Sequence, residues 1–160
     1  MSKQGDAAYA WFLKGYNCSQ SVVAAFAPQL GLTEEMALRL SAGFGAGIGR
    51  MREVCGAFCG VVTVLSMVYA DPTDPKDKSR MYALVQQAAE QYRTRNGGGS
   101  IICREILSNP PSDPNPTPRT AEFYKTRPCV RMVMTAAGIL DDYIAERPVG
   151  TPTKPDMERL

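Results

Sequence analysis

The stretch over residues 54–70 carries no charged side chain through seventeen positions, and it constrains this chain more than any other feature. An uncharged run of that length belongs either in a bilayer or in a protein interior, and seventeen residues is the lower edge of what spans hydrocarbon. Gly56, Gly60, Thr63, Ser66 and two cysteines lower its hydrophobicity. A buried central helix is therefore expected, with the rest of the chain arranged around it.

Local signals supply those surroundings. Residues 5–14 read as a first helix bearing Trp11 and Phe12. Asn17 is a good N-cap for a second over 18–27, which Pro28 and Gly31 end. Thr33 caps a third, with Glu34 and Glu35 complementing its dipole, that stops at the glycine-rich segment 43–49. The long apolar helix is expected over 52–70, followed by the turn Asp71-Pro72-Thr73-Asp74-Pro75. Asp74, with Pro75 at the first helical position, opens an amphipathic helix to about residue 95. Ser100 can cap a short helix carrying Cys103, and Pro128 starts a last helix to residue 146. Residues 109–118 hold five prolines and read as an extended surface connection. Strict period-two alternation is absent, so the expectation is an all-α, compact bundle of six to seven helices. At 160 residues it should form one domain over 1–146 with a loose, proline-rich tail over 147–160.

Charge and residue inventory exclude several functions. A net charge of +2 gives no electrostatic footprint for nucleic acid, and no basic run is dense enough for a membrane anchor. The apolar run before Lys14 is too short for a secretory signal, which points to the cytoplasm. There are five cysteines and no histidine. Serine–histidine and cysteine–histidine catalysis within the chain are thereby excluded, and chemistry must run on sulfur, carboxylates or a bound cofactor. An odd cysteine count also argues against a structural disulfide framework.

Four of the cysteines fall near expected helix starts. Cys18 follows Asn17, Cys55 follows the glycine segment, Cys103 lies three residues after Ser100, and Cys129 follows Pro128. Unpaired N–H groups and the positive end of the helix dipole favour thiolate over thiol there. Basic residues also flank these positions in sequence: Lys14, Arg50, Arg52, Arg104, Arg127 and Arg131. Cys59, one turn beyond Cys55 on the same face, reads as ordinary packing. Gly45-Ala46-Gly47-Ile48-Gly49 looks superficially like a phosphate loop, but no strand precedes it and no Lys-Ser or Lys-Thr follows. Gly45, Gly47 and Gly49 are expected instead to let the backbone pass close to a sulfur site or donate N–H bonds to a cofactor there.

The order of these pieces resembles the family of redox-active proteins named for the signature C-GCAxxG-C-C. Gly15-Tyr16-Asn17-Cys18-Ser19-Gln20 comes first, then Cys55-Gly56-Ala57-Phe58-Cys59-Gly60. Cys103 and Arg127-Pro128-Cys129 complete the order, so that the likeness covers residues 7–145. The core here reads Cys-Gly-Ala-x-x-Gly, whereas the name orders its letters differently. The resemblance implies a helical fold and four functional cysteines, Cys18, Cys55, Cys103 and Cys129, with Cys59 at a variable position. It implies no settled reaction.

Three classes of function stay open. One is a thiolate-bound [2Fe–2S] centre for electron transfer, with all four cysteines as metal ligands. A second is a metal-free dithiol protein that exchanges with a redox partner protein. The third is a structural tetrathiolate zinc site or a helical interaction module. Gaps of 37, 48 and 26 residues between the four cysteines are unlike the close ligand pairs of zinc sites. Four separated helix starts are poorly explained by a single working pair, which favours the cluster. Apolar faces on the outer helices make a homodimer an expectation as well.

Overall fold

A computed structural model describes residues 2–108 and 113–147. It is all-α, with eight α-helices and one 3₁₀ turn among the described residues. The tail over 148–160 and residues 109–112 of the proline-rich connection lie outside the described residues.

Helix α1, Lys3–Leu13, starts where the Ser2 hydroxyl accepts the Gly5 N–H at 3.0 Å. Helix α2, Cys18–Phe26, is capped by Asn17 as its sequence predicts. The cap is reciprocal: Asn17 Oδ1 accepts the Gln20 N–H at 2.9 Å, and Gln20 Oε1 accepts the Asn17 N–H at 3.1 Å. Helix α3, Glu34–Ser41, is capped by Thr33 and runs into the 3₁₀ turn Ala42–Phe44. Helix α4, Gly56–Tyr69, is the uncharged stretch, and α5, Asp77–Arg95, is the long polar helix. Helix α6, Cys103–Ile106, is a single turn, followed by α7, Ala121–Thr126, and α8, Cys129–Glu146.

Helices α2, α4 and α8 pack mutually at the centre, with α1 against α2 and α8 and α5 against α4 and α8. Val61, Val64 and Leu65 of α4 are fully buried against Val22, Val23 and Phe26 of α2 and Ile139 and Leu140 of α8 in one apolar cluster. Each such side chain contributes roughly 1.5–3 kcal/mol relative to exposure. Gly60 sets the closeness of α2 to α4, since a Cβ there would lie 2.8 Å from Val22 Cβ. No helix among the described residues is long and apolar enough to cross a membrane, and the expectation of a buried central helix holds.

Two boundaries differ from expectation. Helix α4 begins at Gly56 and not at residue 52, because Arg52 has φ +63° and Val54 pairs antiparallel with Ile102. Helix α7 takes the count past the six to seven expected. Thr120 caps it by accepting the Phe123 N–H at 3.1 Å, a short signal overshadowed in sequence by the prolines before it.

Between the 3₁₀ turn and Val54 the chain makes a left-handed coil. Ala46, Gly47, Ile48, Gly49 and Arg50 are consecutive residues with φ between +55° and +76°. The coil is closed by the Gly49 N–H on the Gly43 carbonyl at 2.8 Å and the Glu53 N–H on the Gly47 carbonyl at 3.0 Å.

Candidate functional site

Two short pairings aim the cysteines inward. The Cys55 N–H donates to the Ile101 carbonyl at 2.7 Å, and the Cys103 N–H donates to the Glu53 carbonyl at 2.6 Å. This antiparallel clasp joins the start of α4 to the start of α6. Cys18 and Cys129 are the first residues of α2 and α8, two helices already packed together in the core. Cys18, Cys55, Cys103 and Cys129 all line one cavity of about 320 Å³. Cys59 does not: it is half-buried and its thiol faces the Val54 carbonyl at 3.8 Å.

The glycine segment divides. Gly45 and Gly49 line the cavity. Gly47 does not line it; it packs against its wall, where a Cβ would sit 2.7 Å from Cys103 Cβ and 2.8 Å from Arg52 Cα. Its φ of +76° is a conformation that glycine adopts without strain.

The basic neighbours are rearranged relative to the sequence. Lys14 lies over the Trp11 ring at 4.2 Å, and Arg104 pairs with Glu53 at 2.6 Å on the surface. Arg50 binds Asp113 at 2.8 Å and Thr117 at 3.0 Å, while Arg131 is exposed. Arg52, adjacent in sequence to the Cys55 segment, instead puts Nη1 3.9 Å from the Cys103 sulfur. Arg127 and Arg119 complete the basic lining. Arg119 carries no cysteine near it in sequence and was not expected. Tyr92 was not expected either; fully buried on α5, its hydroxyl lies 3.3 Å from the Cys55 sulfur.

These surroundings split the thiols into unlike classes. A hydrogen bond from Cys18 is the main influence that lowers the Cys129 pKa to about 7; burial opposes it, and Arg127, Arg119 and Arg52 assist. Cys18 is correspondingly pushed up, by that same hydrogen bond and by burial. Burial raises Cys55 to about 11, despite the Tyr92 hydroxyl and the Ala57 N–H, which favour its thiolate. Burial also raises Cys103 against the opposing pull of Arg52, and raises Cys59 to about 11. Helix starts were expected to favour thiolate at all four positions. Burial outweighs that at Cys55 and Cys103, the Cys129 thiol together with burial does so at Cys18, and only at Cys129 do the Cys18 thiol and the facing guanidinium groups overcome burial.

The fit to a metal centre can be tested on this geometry. Four thiols share a cavity, but no three cysteine or carboxylate side chains among the described residues are grouped so as to hold a metal ion. Cys55 and Cys103 are engaged separately, with the Tyr92 hydroxyl and the Arg52 guanidinium. As arranged, the donor set does not fit a four-thiolate cluster or a tetrathiolate zinc site.

No curated protein and no solved structure matches the chain. The family model described as "Putative redox-active protein (C_GCAxxG_C_C)" matches residues 16–143. With all four signature cysteines on the wall of one cavity and the match covering most of its length, the chain belongs to the C_GCAxxG_C_C family of redox-active proteins.

Proposed function

We propose that this protein is a metal-free dithiol redox protein in which Cys18 and Cys129 cycle between a thiol–thiolate pair and a disulfide. The observation that supports this reading is that Cys18 and Cys129 are the first residues of two mutually packed helices and line one cavity together with guanidinium groups. Arg127, Arg119 and Arg52 favour the Cys129 thiolate, which makes it the attacking sulfur and Cys18 the resolving one. The thiolate attacks one sulfur of an incoming disulfide R–S–S–R, and the first RS⁻ leaves. Cys18 then gives up its proton and attacks the mixed disulfide at Cys129, expelling the second RS⁻. The protein pair loses two electrons, the incoming disulfide gains two, and the two leaving thiolates take up the Cys18 proton and one from solvent. Cycling of this kind suits a reducing cytoplasm.

Cys55 and Cys103, protonated by burial, hold the wall of the site in this scheme. A second reading, a [2Fe–2S] centre on all four cysteines, is favoured by their common cavity but requires the sulfurs to regroup. The test is anaerobic purification followed by iron and sulfide analysis, then oxidation and non-reducing peptide mapping. A Cys18–Cys129 disulfide lost in Cys18→Ser and Cys129→Ser, yet retained in Cys55→Ser and Cys103→Ser, is the expected result. Stoichiometric iron and sulfide lost equally in all four variants would transfer the assignment to the cluster.

A further inference from the structure

We propose that the cavity over the sulfur pair is a binding site for a small organic anion, and that the oxidant of the pair is a low-molecular-weight disulfide bearing carboxylates. The second half rests on the dithiol reading above; the first half stands on the cavity alone.

The charge of the wall is one-sided. Arg50, Arg52, Arg119 and Arg127 line the cavity, and no aspartate or glutamate among the described residues does. Arg50 is neutralised by Asp113, and Arg52 lies against Cys103. Arg119 and Arg127 have no carboxylate partner among the described residues. Arg119 is held rigidly: its guanidinium stacks over Phe12 at 4.3 Å and Phe123 at 4.6 Å, and Nη2 donates to the Tyr16 carbonyl at 3.1 Å. Its other terminal nitrogen, Nη1, is buried and has no hydrogen-bond partner among the described residues. A buried donor left unsatisfied is rare in native proteins and marks a place for a missing acceptor. Arg127 lies over the same Phe123 ring at 5.5 Å. One aromatic side chain thus carries two guanidinium groups at the wall that Cys129 shares.

Guanidinium forks recognise carboxylates in two-pronged geometry, and positive charge on low-dielectric walls concentrates anions. The rest of the lining is mostly apolar, including Phe12, Ile106, Leu107 and Met132, which suits the carbon skeleton of an organic molecule. At about 320 Å³ the space is at the small end of ligand cavities. Cys18 is nearly covered and Cys129 is only half-buried, so the attacking sulfur is approached through the cavity. A small disulfide would enter whole, with a carboxylate on Arg119 or Arg127 and one sulfur presented to Cys129. Exchange would then proceed with the atom and electron balance given above, releasing two small thiols.

Two measurements on the whole reduced protein separate the halves of this proposal. In the first, Cys129 is alkylated with anionic iodoacetate and with neutral iodoacetamide, followed by peptide mass spectrometry. Both reagents consume the same thiolate, so their rate ratio is independent of its population. The ratio at Cys129 should exceed that of a free cysteine thiol by about tenfold or more, and should fall towards the free value in Arg127→Gln, in Arg119→Gln and at high salt. A ratio equal to that of the free thiol in the wild type overturns the anion site. In the second, 3,3′-dithiodipropionate and neutral bis(2-hydroxyethyl) disulfide are compared as oxidants, and the dicarboxylate should oxidise the pair about tenfold faster. Equal rates overturn the assignment of an anionic oxidant while leaving the dithiol reading intact. A pair that neither disulfide oxidises overturns that assignment and the dithiol reading together, and the alkylation ratio then still decides the anion site.

Discussion

Replacing Gly47 by alanine tests whether the left-handed coil is the support that fixes the thiol wall. Two costs add. Alanine at φ +76° bears the left-handed penalty of about 1–2 kcal/mol. The new Cβ would also meet Cys103 Cβ at 2.7 Å, Arg52 Cα at 2.8 Å and the Glu53 nitrogen at 2.8 Å. Two of those three atoms are backbone and cannot rotate away, and forced overpacking of this kind costs about 1–3 kcal/mol. The sum is roughly 2–5 kcal/mol, which for a chain of this size lowers Tm by roughly 5–15 °C. Gly49→Ala is the control: its φ is +56°, but nothing lies within 4 Å of the added Cβ, so it should bear only the backbone cost of about 1–2 kcal/mol. Urea unfolding of wild type and both variants, with the slope checked for constancy, measures the difference. If Gly47→Ala were no less stable than Gly49→Ala, the contact with Cys103 and the Arg52 backbone would not be what demands glycine.

Three further outcomes follow from the thiol environments. Alkylation of Cys129 by iodoacetamide should titrate with a midpoint near pH 7, rising with pH as thiolate forms, whereas Cys55 and Cys59 should stay unreactive until about pH 11; a Cys129 midpoint near that of an ordinary thiol would remove it as the attacking sulfur. Cys55 is raised on folding, so the folded state holds its proton more tightly than the unfolded one and stability should fall as pH rises from about 8.5 towards about 11. Urea midpoints across that window should decline less steeply in Cys55→Ala than in wild type, and equal slopes would contradict the burial argument. Cys59→Ser should leave Cys18–Cys129 oxidation unchanged at a stability cost on the order of 1 kcal/mol, and loss of oxidation in that variant would make Cys59 a working thiol.

Helical periodicity, caps and breakers carried most of the fold because they are local. Asn17, Thr33 and the uncharged 54–70 stretch each announce their element within a few residues. The start of α4 was misplaced because its limit is set by a distant segment, through the Val54–Ile102 pairing. The four signature cysteines were legible from spacing and local context, and the cavity brings them together. Their chemistry was not legible. Whether a helix start yields a thiolate depends on which guanidinium faces the sulfur, and sequence neighbours proved poor guides: Arg104 turns to Glu53, while Arg119 reaches the cavity from beyond the proline-rich connection. Tyr92 sits in a helix whose other residues are mainly polar, and no periodic signal distinguishes a buried tyrosine that faces a sulfur from one that merely packs.

The left-handed coil also bears on when the site is assembled. Ala46, Ile48 and Arg50 each prefer right-handed backbone in isolation, and Ile48 is β-branched at φ +60°. The local hydrogen bonds that close the coil work against these preferences, and its packing is complete only once Cys103, 56 residues after Gly47, has docked against it. Contacts of that separation form after the helices have met, so the coil should be absent from the folding transition state. Ile48→Gly would then slow unfolding and leave the folding rate unchanged, measurable by stopped-flow in urea. Until the coil closes, the wall carrying Cys55 and Cys103 is open to solvent. A newly made chain would thus pass through an interval in which thiols later shielded by burial are within reach of oxidants, and the length of that interval is set by the slowest backbone to settle.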